Sequence, residues 1–230
     1  MTKVSIIIPV LNEEAFIGQL LQHLIQNSSK QNIADIIVVD GGSSDKSQTI
    51  VNSFAEVTLL ASEKGRAKQL NKGAQLAQGD VLYFLHADAF PPKDFDKYIL
   101  HEIRKGNSAG CFRMEFNNNH WWLQLTSWLT QFNWRPCRGG DQSQFITKAL
   151  FQDIGGYNED YIIYEDNILI NELYRRKEFV VINKKIKTSA RLYKKVGVWR
   201  LQYHFIRIYM KRWLGADAAD LYNYYKEHIA

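Results

Sequence analysis

Asp88 is the first residue whose position in the sequence could support chemistry. Five apolar residues, 81–85, run between Asp80 and the segment His86-Ala87-Asp88, a pattern typical of a short buried strand that ends in a loop. Ligands of open α/β sheets bind at the carboxyl ends of the strands. Asp88 is therefore a candidate ligand for Mg²⁺ or Mn²⁺, and His86 would add a nitrogen ligand that Mn²⁺ tolerates better. The alternative is a loop aspartate that caps the following helix.

A second carboxylate, Asp40, ends another apolar segment and precedes Gly41-Gly42-Ser43-Ser44. Glycines let the backbone approach a ligand closely, and serine hydroxyls and backbone amides can hydrogen-bond a ribose or a base. The Asp40 carboxylate would then accept a hydrogen bond from a base N–H or a sugar hydroxyl. The same residue types also form ordinary turns, so a purely structural role stays open.

A third acidic position, Glu165-Asp166, follows the aromatic segment 161–164 at the predicted start of a helix. A carboxylate there could act as a general base that takes a proton from an alcohol. Neighbouring helical residues point about 100° apart, so we expect at most one of the two acids to face a site squarely. Alternatively, both acids only offset the positive end of the helix dipole.

Basic and aromatic residues supply further candidates. Arg66, Lys68 and Arg191 could each neutralise a diphosphate, although single basic residues are usually solvated. In the C-terminal part, apolar residues recur at spacings of four and three beside arginines and lysines. This pattern predicts an amphipathic helix that packs on the domain, and a helix that lies on anionic lipid is the alternative. The apolar stripe consists of Trp199, Tyr203, Ile206, Met210 and Trp213.

The composition limits the class of protein. Hydrophobic residues make up 46% and charged residues 23% of the 230 residues, with a net charge of +5, which excludes a disordered chain and gives little support to a nucleic-acid partner. Cys111 and Cys137 have neither zinc-ligand nor disulfide-framework spacing, which indicates a reducing compartment. The apolar start, 4–10, is too short for a signal peptide, and no stretch reaches the roughly 20 apolar residues of a spanning helix. We expect a cytoplasmic protein that can contact the inner face of the membrane.

Strand and helix patterns alternate through the first half of the chain. Strands are predicted at 4–10, 35–39 and 57–60 and in the segment that leads to Asp88, and the helix over 67–78 is expected to end with Gly79 as its cap. Three successive βα units predict a parallel sheet with right-handed crossovers. The expected fold class is α/β: a Rossmann-like, mostly parallel sheet flanked by helices, with a helical C-terminal extension.

The second half is less regular. It contains predicted strands at 109–116 and 144–147, a predicted helix over 148–154 and an aromatic segment, 121–134, whose side chains could stack on a sugar, receive a lipid tail or fill the core.

Taken in order, these segments resemble glycosyltransferase family 2, whose members have the A-type glycosyltransferase fold. The resemblance covers most of the chain and lies in segments 6–14, 38–45, 65–67 with 70–74, 79–80 with 86–88, and 165–166. The second half, with Gly140-Asp141-Gln142 and Gly155-Gly156-Tyr157, is similar to a compact bacterial subgroup. The family's metal motif usually starts with aspartate, whereas this chain has His86 there, so His86 either ligates the metal, contacts the ribose or does neither.

The resemblance implies a single domain, 1–230, in which 1–106 bind the nucleotide sugar, 107–195 bind the acceptor and provide the catalytic base, and 196–230 form helices. It implies an inverting transfer of a sugar from a nucleotide sugar, expected to be UDP-linked, to a hydroxyl acceptor for which a lipid-linked molecule is one candidate. Oligomeric state is left open.

The resemblance also assigns roles to single residues. Asp88, with His86 beside it, would hold Mn²⁺ or Mg²⁺, and Asp166 would be the catalytic base, with Glu165 as the next candidate. The expected acceptor residues are Gly140, Asp141, Gln142 and Trp121. The expected donor-binding residues are Pro9, Val10, Leu11, Asn12, Glu13, Asp40, Gly41, Ser43, Arg66, Lys68, Ala87 and Arg191.

Two other functions stay open at this point. A nucleotidyltransferase would share the Rossmann-like half and the metal, but the segment Leu11-Asn12-Glu13-Glu14 is acidic where such an enzyme has a basic, glycine-rich phosphate loop. A catalytically silent module that binds a sugar nucleotide or a membrane surface is the other alternative. The joint presence of Asp40, Asp88 and Asp166 argues against it.

Overall fold

One mixed sheet of eight strands crosses the described part of the chain, residues 1–139 and 142–229 of this computed structural model. The strands are β1 (Val4–Val10), β2 (Ile33–Asp40), β3 (Val57–Ala61), β4 (Val81–Phe84), β5 (Ala89–Phe90), β6 (Ala109–Phe116), β7 (Gln144–Thr147) and β8 (Val180–Thr188). They lie side by side in the order β3-β2-β1-β4-β7-β6-β8-β5. Within the described ranges four of seven pairings are parallel: β1 with β2 and β4, β2 with β3, and β6 with β8. The predicted α/β class with a mostly parallel sheet is confirmed.

Helices cover both faces of this sheet. They are α1 (Ile17–Asn27), α2 (Ser47–Val51), α3 (Arg66–Leu76), α4 (Phe95–Arg104), α5 (Trp121–Leu129), α6 (Lys148–Ile154), α7 (Glu165–Arg175), α8 (Arg191–Val196), α9 (Val198–Trp213) and α10 (Ala218–His228). Alternate residues of a strand point to opposite faces, so β1 serves two cores. Ile6 and Ile8 pack with buried residues of α1 and α4, whereas Ile7 packs with those of α3 and α7. Burial on both faces explains why β1 is continuously apolar.

α1 begins at Ile17, after a turn in which Asn12 adopts a left-handed conformation with φ 57° and the N–H groups of Asn12 and Glu13 donate to Ser43 and Ser47. α3 ends at Leu76, so the prediction that Gly79 caps this helix is wrong. Gly79 instead lies against β1: its N–H donates to Ser5 Oγ at 2.8 Å, and a Cβ there would come within 2.8 Å of the Ser5 nitrogen.

β8, which joins the second half of the chain to the sheet, was not predicted from the sequence. β8 pairs with β6 in a parallel register that shifts between Phe112 and Arg113. This irregularity accompanies three consecutive exposed residues, 183–185, between the buried Ile182 and Ile186. The period-two alternation that would predict a strand is therefore interrupted.

The C-terminal helices α8 to α10 confirm the predicted helical extension, but the prediction that its apolar stripe packs on the domain is wrong. The buried residues of α9 are Leu201 and Ile208, which 3.6 residues per turn places about 160–180° from Trp199. The stripe itself is exposed, and Trp213 keeps 85% of its accessible surface. A spacing of three and four shows that apolar residues share one side of a helix, not whether that side faces inward. None of the helices in the described ranges combines the length and the apolar character that crossing a bilayer requires.

Gly73 determines how closely α3 packs on the sheet. A Cβ at Gly73 would come within 2.5 Å of Ile7 Cγ2 and 3.1 Å of Val39 Cγ2, and both of these side chains are fully buried. Alanine is favoured over glycine in a helix by about 1 kcal/mol, but overpacking a tight core costs about 1–3 kcal/mol. We expect Gly73→Ala to lower the free energy of unfolding by about 1–2 kcal/mol in urea denaturation.

Gln75→Ala is the matched control, because Gln75 is exposed on the same helix. It should change the free energy of unfolding by less than about 0.5 kcal/mol. An unchanged or increased stability of Gly73→Ala would contradict the close packing of α3 on β1 and β2.

Candidate active site

The loops at the carboxyl ends of β1 and β2 are joined by hydrogen bonds. The N–H of Asn12 donates to Ser43 Oγ at 2.9 Å, and the N–H of Glu13 donates to Ser47 Oγ at 2.8 Å. Because β1 and β2 are parallel neighbours, their following loops meet at one edge of the sheet. These contacts fix the predicted donor-binding segment, 9–13, against the loop that contains Ser43.

Asp40 lies at the end of β2 with its carboxylate buried. Its Oδ2 accepts hydrogen bonds from the N–H groups of Gly42 and Ser43 at 3.0 Å and from Gln48 Nε2 at 2.8 Å. Its Oδ1 is buried and has no hydrogen-bond partner among the residues that the structure describes. Burial raises the pKa of Asp40, but the hydrogen bonds from Ser43, Gly42 and Gln48 outweigh burial and lower the pKa below its usual value. An ionised carboxylate with such an oxygen can accept a ligand N–H or O–H.

An open cleft of about 300 Å³ runs along this edge of the sheet. Its volume is at the lower end of the range of small-molecule sites. The walls come from the loop after β1, the start of α3, the segment after β4 and the start of α8, which lie far apart in the sequence. The predicted donor and metal residues that line it are Pro9, Val10, Leu11, Glu13, Arg66, His86, Ala87, Asp88 and Arg191.

Arg191 links two walls of the cleft. Its Nε lies 3.3 Å from Asp88 Oδ2, and its Nη1 donates to Glu13 Oε2 at 2.6 Å. The guanidinium also lies over the ring of Phe16, 5.2 Å from the ring centroid. Arg191 therefore joins the loop after β1 to the segment after β4 through its pairs with Glu13 and Asp88.

Asp88 and His86 are the predicted metal ligands, and both line the cleft. Among residues 1–139 and 142–229, no group of three or more His, Cys, Asp and Glu side chains could hold a metal ion. Mg²⁺ often binds one or two carboxylates and takes its other ligands from substrate phosphates and water. The residues present fit a divalent ion in that arrangement, with Asp88 as the carboxylate. Asp80 lies at the other end of β4, where it accepts the N–H of Lys3 at 3.0 Å.

Glu165 and Asp166 start α7, and Arg66 binds both. Arg66 Nε donates to Glu165 Oε1, and Arg66 Nη2 donates to Asp166 Oδ2. Glu165 is fully buried, and its Oε2 has no hydrogen-bond partner within the described part of the chain. Burial raises the pKa of Glu165 to about 7, although the Arg66 guanidinium opposes that rise. Because Arg66 also lines the cleft, it connects the two acids to the cleft wall.

A small inner cavity of about 20 Å³ includes Asp166 in its lining and shares His86 with the cleft. Glu165 is not part of the described lining of either space. Gln142, a predicted acceptor residue, also lines the inner cavity. Its Oε1 accepts a hydrogen bond from Arg138 Nη1 at 2.8 Å, so this amide also holds a buried guanidinium.

Six further predicted donor and acceptor residues are not part of the described lining of the cleft or of the inner cavity: Asn12, Asp40, Gly41, Ser43, Lys68 and Trp121. Lys68 pairs with an acid of the loop before α3, and Trp121 is exposed on α5 with its ring 5.7 Å from that of Trp199. Gly140 and Asp141 lie outside the described residues.

Gln69 is a wall residue that the sequence analysis missed. Its Nε2 donates to the carbonyl oxygens of Val10 at 2.9 Å and Val39 at 2.7 Å. A Cβ on Gly41 would come within 3.0 Å of the Gln69 side chain, so the glycine allows this amide to reach both strands. The signal that could have found Gln69 is a polar residue beside the small, apolar inner face of α3. Ile162 also lines the cleft, and nothing in its sequence context distinguishes it.

The sequence of the chain matches a known protein family. The sequence model described as Glycosyl transferase family 2 matches residues 5–177, which contain every lining residue of the cleft except Arg191. An uncharacterized glycosyltransferase of Haemophilus influenzae is 36% identical over 234 residues, covering 90% of this chain and 89% of the relative. The chain spans about half the length of curated relatives from Bacillus subtilis and Proteus mirabilis, 47% and 55%. The relative from Proteus mirabilis is named undecaprenyl-phosphate 4-deoxy-4-formamido-L-arabinose transferase.

Solved structures share the fold. The mannosyltransferase PcManGT from Pyrobaculum calidifontis, in complex with GDP-Man and Mn²⁺, superposes with a TM-score of 0.69 at 18% identity, covering 97% of this chain and 69% of that chain. TarS from S. aureus, in complex with UDP-GlcNAc, gives a TM-score of 0.68 at 22% identity, with 81% and 58% covered. At these identities the likeness shows the fold alone, and the predicted A-type glycosyltransferase fold is confirmed.

Glu165 should make stability depend on pH. Its pKa in the folded protein, about 7, lies above its ordinary value of 4.5, so the folded protein binds more protons than the unfolded chain between these values. The stability from this group is present at low pH and is lost as the pH rises through 7. We expect the free energy of unfolding of the wild type, relative to Glu165→Gln, to fall between about pH 5 and pH 8 in urea denaturation.

Glu172→Gln on the same helix is the control. Hydrogen bonds from Arg175 and Arg176 lower the pKa of Glu172 to about 2, so its effect on stability should stay constant from about pH 5 to pH 8. A constant difference for Glu165→Gln over this range would contradict the raised pKa of Glu165.

Proposed function

The chain belongs to glycosyltransferase family 2, and we propose that it transfers a sugar from a nucleotide-sugar donor to a hydroxyl acceptor with inversion of configuration. One observation carries the proposal: Glu13, Arg66, Asp88 and Arg191 meet in a single cleft at the carboxyl edge of the sheet. Open α/β sheets bind ligands at this edge. A carboxylate that can hold a divalent ion suits a diphosphate better than an uncharged ligand, because such an ion binds substrate phosphates.

The donor is proposed to be a UDP-sugar. Asp40 supports a nucleoside at the end of β2, because its buried Oδ1 can accept an N–H of a base or a hydroxyl of a ribose. The solved structures with this fold are complexes with GDP-Man and with UDP-GlcNAc, so guanosine and uridine diphosphates are the two nucleotides to compare. His86 lines both the cleft and the inner cavity. We propose that it contacts the donor at the point where the cleft meets the cavity that contains Asp166.

Divalent metal is proposed as the cofactor. Asp88 would hold Mn²⁺ or Mg²⁺, with the remaining ligands supplied by phosphate oxygens and water. A bound ion would offset the negative charge that grows on the leaving diphosphate. Arg191 and Arg66 line the same cleft, but each is paired with two carboxylates of the chain, so a bound ion would supply positive charge that these side chains do not.

Asp166 is proposed as the general base. The acceptor oxygen forms a bond to the anomeric carbon, the bond from that carbon to the diphosphate oxygen breaks, and its electron pair leaves with the nucleoside diphosphate. Asp166 takes the acceptor's hydroxyl proton, and attack on the face opposite the leaving group inverts the configuration. The transition state should have oxocarbenium character, as in glycoside hydrolysis. The ion pair with Arg66 fixes the Asp166 carboxylate in the lining of the inner cavity.

The acceptor is proposed to be lipid-linked. The Proteus mirabilis relative carries undecaprenyl phosphate in its name, which is the support from comparison. Gln142 and Asp166 share the inner cavity, so an acceptor hydroxyl that reaches Asp166 would approach along Gln142. We propose Gln142 as an acceptor-contact residue on that ground.

Asp88→Ala should separate metal-dependent from metal-independent binding of the donor. We expect wild-type protein to bind UDP or GDP more tightly with Mn²⁺ than without it, measured by isothermal titration calorimetry. In Asp88→Ala the gain from Mn²⁺ should fall by about tenfold or more, since even indirect partners of a metal ligand alter affinity by about 10–100-fold. Binding without metal should persist, because a carboxylate that repels phosphate has been removed.

Asp80→Ala is the matched control, because Asp80 lies at the opposite end of β4 from Asp88. It should leave the effect of Mn²⁺ unchanged. Absence of binding of any nucleoside diphosphate to the wild type, with and without metal, would contradict the proposed function.

Asp166→Asn should separate donor binding from chemistry. Asparagine keeps the size of the side chain and a hydrogen-bond acceptor for Arg66, but it cannot take a proton. We expect donor affinity to stay within about threefold and the release of nucleoside diphosphate from a nucleotide sugar to slow by about 10²–10⁴-fold. The measurement is a coupled assay of nucleoside diphosphate release, with water as the acceptor.

Glu172→Gln, on the same helix but outside the cavities, should retain wild-type turnover. Near-normal turnover of Asp166→Asn would transfer the base role to another residue, with Glu165 as the next candidate. A wild-type protein that binds the donor but never releases nucleoside diphosphate would favour a catalytically silent binding module.

A further inference from the structure

We propose that the exposed sides of α5 and α9 form one surface that binds an anionic lipid bilayer. On α9 the exposed apolar residues include the whole apolar stripe described above, in which Trp199 keeps 54% of its accessible surface. On α5 the exposed residues Trp121, Leu125 and Trp128 recur at spacings of four and three, which places them on one side of that helix. We call these two sets of residues together the aromatic face.

The two halves of the aromatic face meet at a cluster of tryptophans. The ring centroids of Trp121 and Trp199 lie 5.7 Å apart, those of Trp122 and Trp199 lie 5.4 Å apart, and those of Trp121 and Trp122 lie 5.6 Å apart. Contiguous exposed apolar surface of this kind marks an interaction site on most proteins. Tryptophan and tyrosine have an apolar ring with a polar N–H or O–H group, which suits the boundary between lipid and water.

The two chain segments that carry the aromatic face contain charged side chains of one sign only. Between residues 192 and 216 the chain contains basic residues and no aspartate or glutamate. The segment from 116 to 134, which includes α5, contains no acidic residue either. The basic residues of the first segment are Lys194, Lys195, Arg200, Arg207, Lys211 and Arg212.

Arg200 and Arg207 flank the stripe rather than interrupt it. With 3.6 residues per turn they lie about 80–100° from Trp199 around the axis of α9, between the exposed stripe and the buried side. Both side chains are exposed. A helix with an apolar stripe bordered by cations is the arrangement of helices that lie in the plane of a membrane, where the cations contact anionic headgroups.

The same charge pattern disfavours a second copy of this chain as the occupant. A symmetric dimer would bury the same patch on both subunits, which would bring the basic flank of α9 close to its own copy with no acid from either segment to offset it. Like charges brought together at an interface oppose association. An anionic bilayer supplies the missing negative charge and an apolar phase at once, so it fits both features of the surface.

The surface is connected to the candidate active site through α9. Tyr209 on α9 donates its hydroxyl hydrogen bond to Asn167 Oδ1 at 3.1 Å, and Asn167 follows Asp166 on α7. α8, which begins at Arg191 in the cleft, leads directly into α9. The helix that would contact the membrane, α9, thus also contacts α7, the helix that carries Asp166. The inference stands on the exposed residues and the charges, independently of the proposed sugar transfer.

The test is co-sedimentation of the full chain with large unilamellar vesicles. The vesicles contain phosphatidylcholine alone or phosphatidylcholine with about 30 mol% phosphatidylglycerol, at about 0.1 M and about 0.5 M NaCl. We expect the wild type to sediment with the anionic vesicles at low salt, and the bound fraction to fall with neutral vesicles and at high salt. Arg200→Glu/Arg207→Glu should weaken the partition coefficient by about tenfold or more. Met210→Ser/Trp213→Ser should weaken it by about fivefold or more, because both side chains are exposed and would insert into the interface.

The matched control variants carry the same kinds of substitution, charge reversal and removal of an apolar side chain, at sites outside the aromatic face. Lys3→Glu/Lys30→Glu reverses two charges that precede β1 and β2, at the sheet edge opposite the cleft, and Leu76→Ser removes an exposed apolar side chain of α3. Each control should bind the anionic vesicles within about twofold of the wild type. Circular dichroism of every variant verifies that it is folded.

Three results would overturn the inference. The first is a wild type that stays in the supernatant with anionic vesicles at low salt. The second is binding by Arg200→Glu/Arg207→Glu or by Met210→Ser/Trp213→Ser that equals the binding of the controls. The third is a dimer in analytical ultracentrifugation, without lipid, that Met210→Ser/Trp213→Ser dissociates, since that result assigns the aromatic face to a second copy. Donor titrations of the same variants keep this outcome separate from the proposed function.

Discussion

The ion pairs of Arg66 with Glu165 and Asp166 join positions 99 and 100 residues apart. Two neighbouring carboxyl groups, one fully buried and one nearly so, repel each other and lose hydration, and each of these effects costs free energy. A cation from the first half of the chain and the positive end of the α7 dipole offset that cost. The Asp166 carboxylate is therefore held in place by a residue that lines the cleft, so the cleft and the inner cavity depend on one guanidinium.

The position of Arg66 depends in turn on how α3 packs. Gly65, with φ 145°, turns the chain into α3, and Gly73 lets the helix approach the sheet until Ile7 fills the space of a missing methyl group. Farther along the helix, Asn71 exchanges two hydrogen bonds with the backbone of Tyr157, both at 2.9 Å. α3 thus contacts the second half of the chain at two points, and the short distance between helix and sheet is a condition for both.

The sequence predicted those parts of the fold and the site that depend on local order along the chain. Asp40 and Asp88 follow buried strands, and the carboxyl ends of parallel strands lie at one edge of a sheet, so the edge on which both residues lie could be predicted from the sequence.

Long-range contacts could not be predicted from the sequence. The residues around Arg66 in the sequence do not indicate its ion pairs with α7. The irregular register of β8 interrupts the alternation of buried and exposed residues that would predict a strand. The sequence also could not show whether the α9 stripe is buried or exposed, because the spacing of apolar residues is the same for a buried and for an exposed helix face. Lys68 and Trp121 were assigned to the site by their chemical type, and their surroundings place them outside the two described spaces.

Arg191 contributes one wall of the cleft from beyond the segment that the family model matches. The family match stops at residue 177, yet Arg191 pairs with Asp88 and Glu13 inside the cleft, and β8 completes the link between β6 and β5. A fragment cut at the end of the family match would keep Asp40, Asp88 and Asp166 but would lose one wall of the cleft and two strand pairings. The segment that the family model matches is thus shorter than the part of the chain that builds the cleft, because one wall of the cleft comes from Arg191.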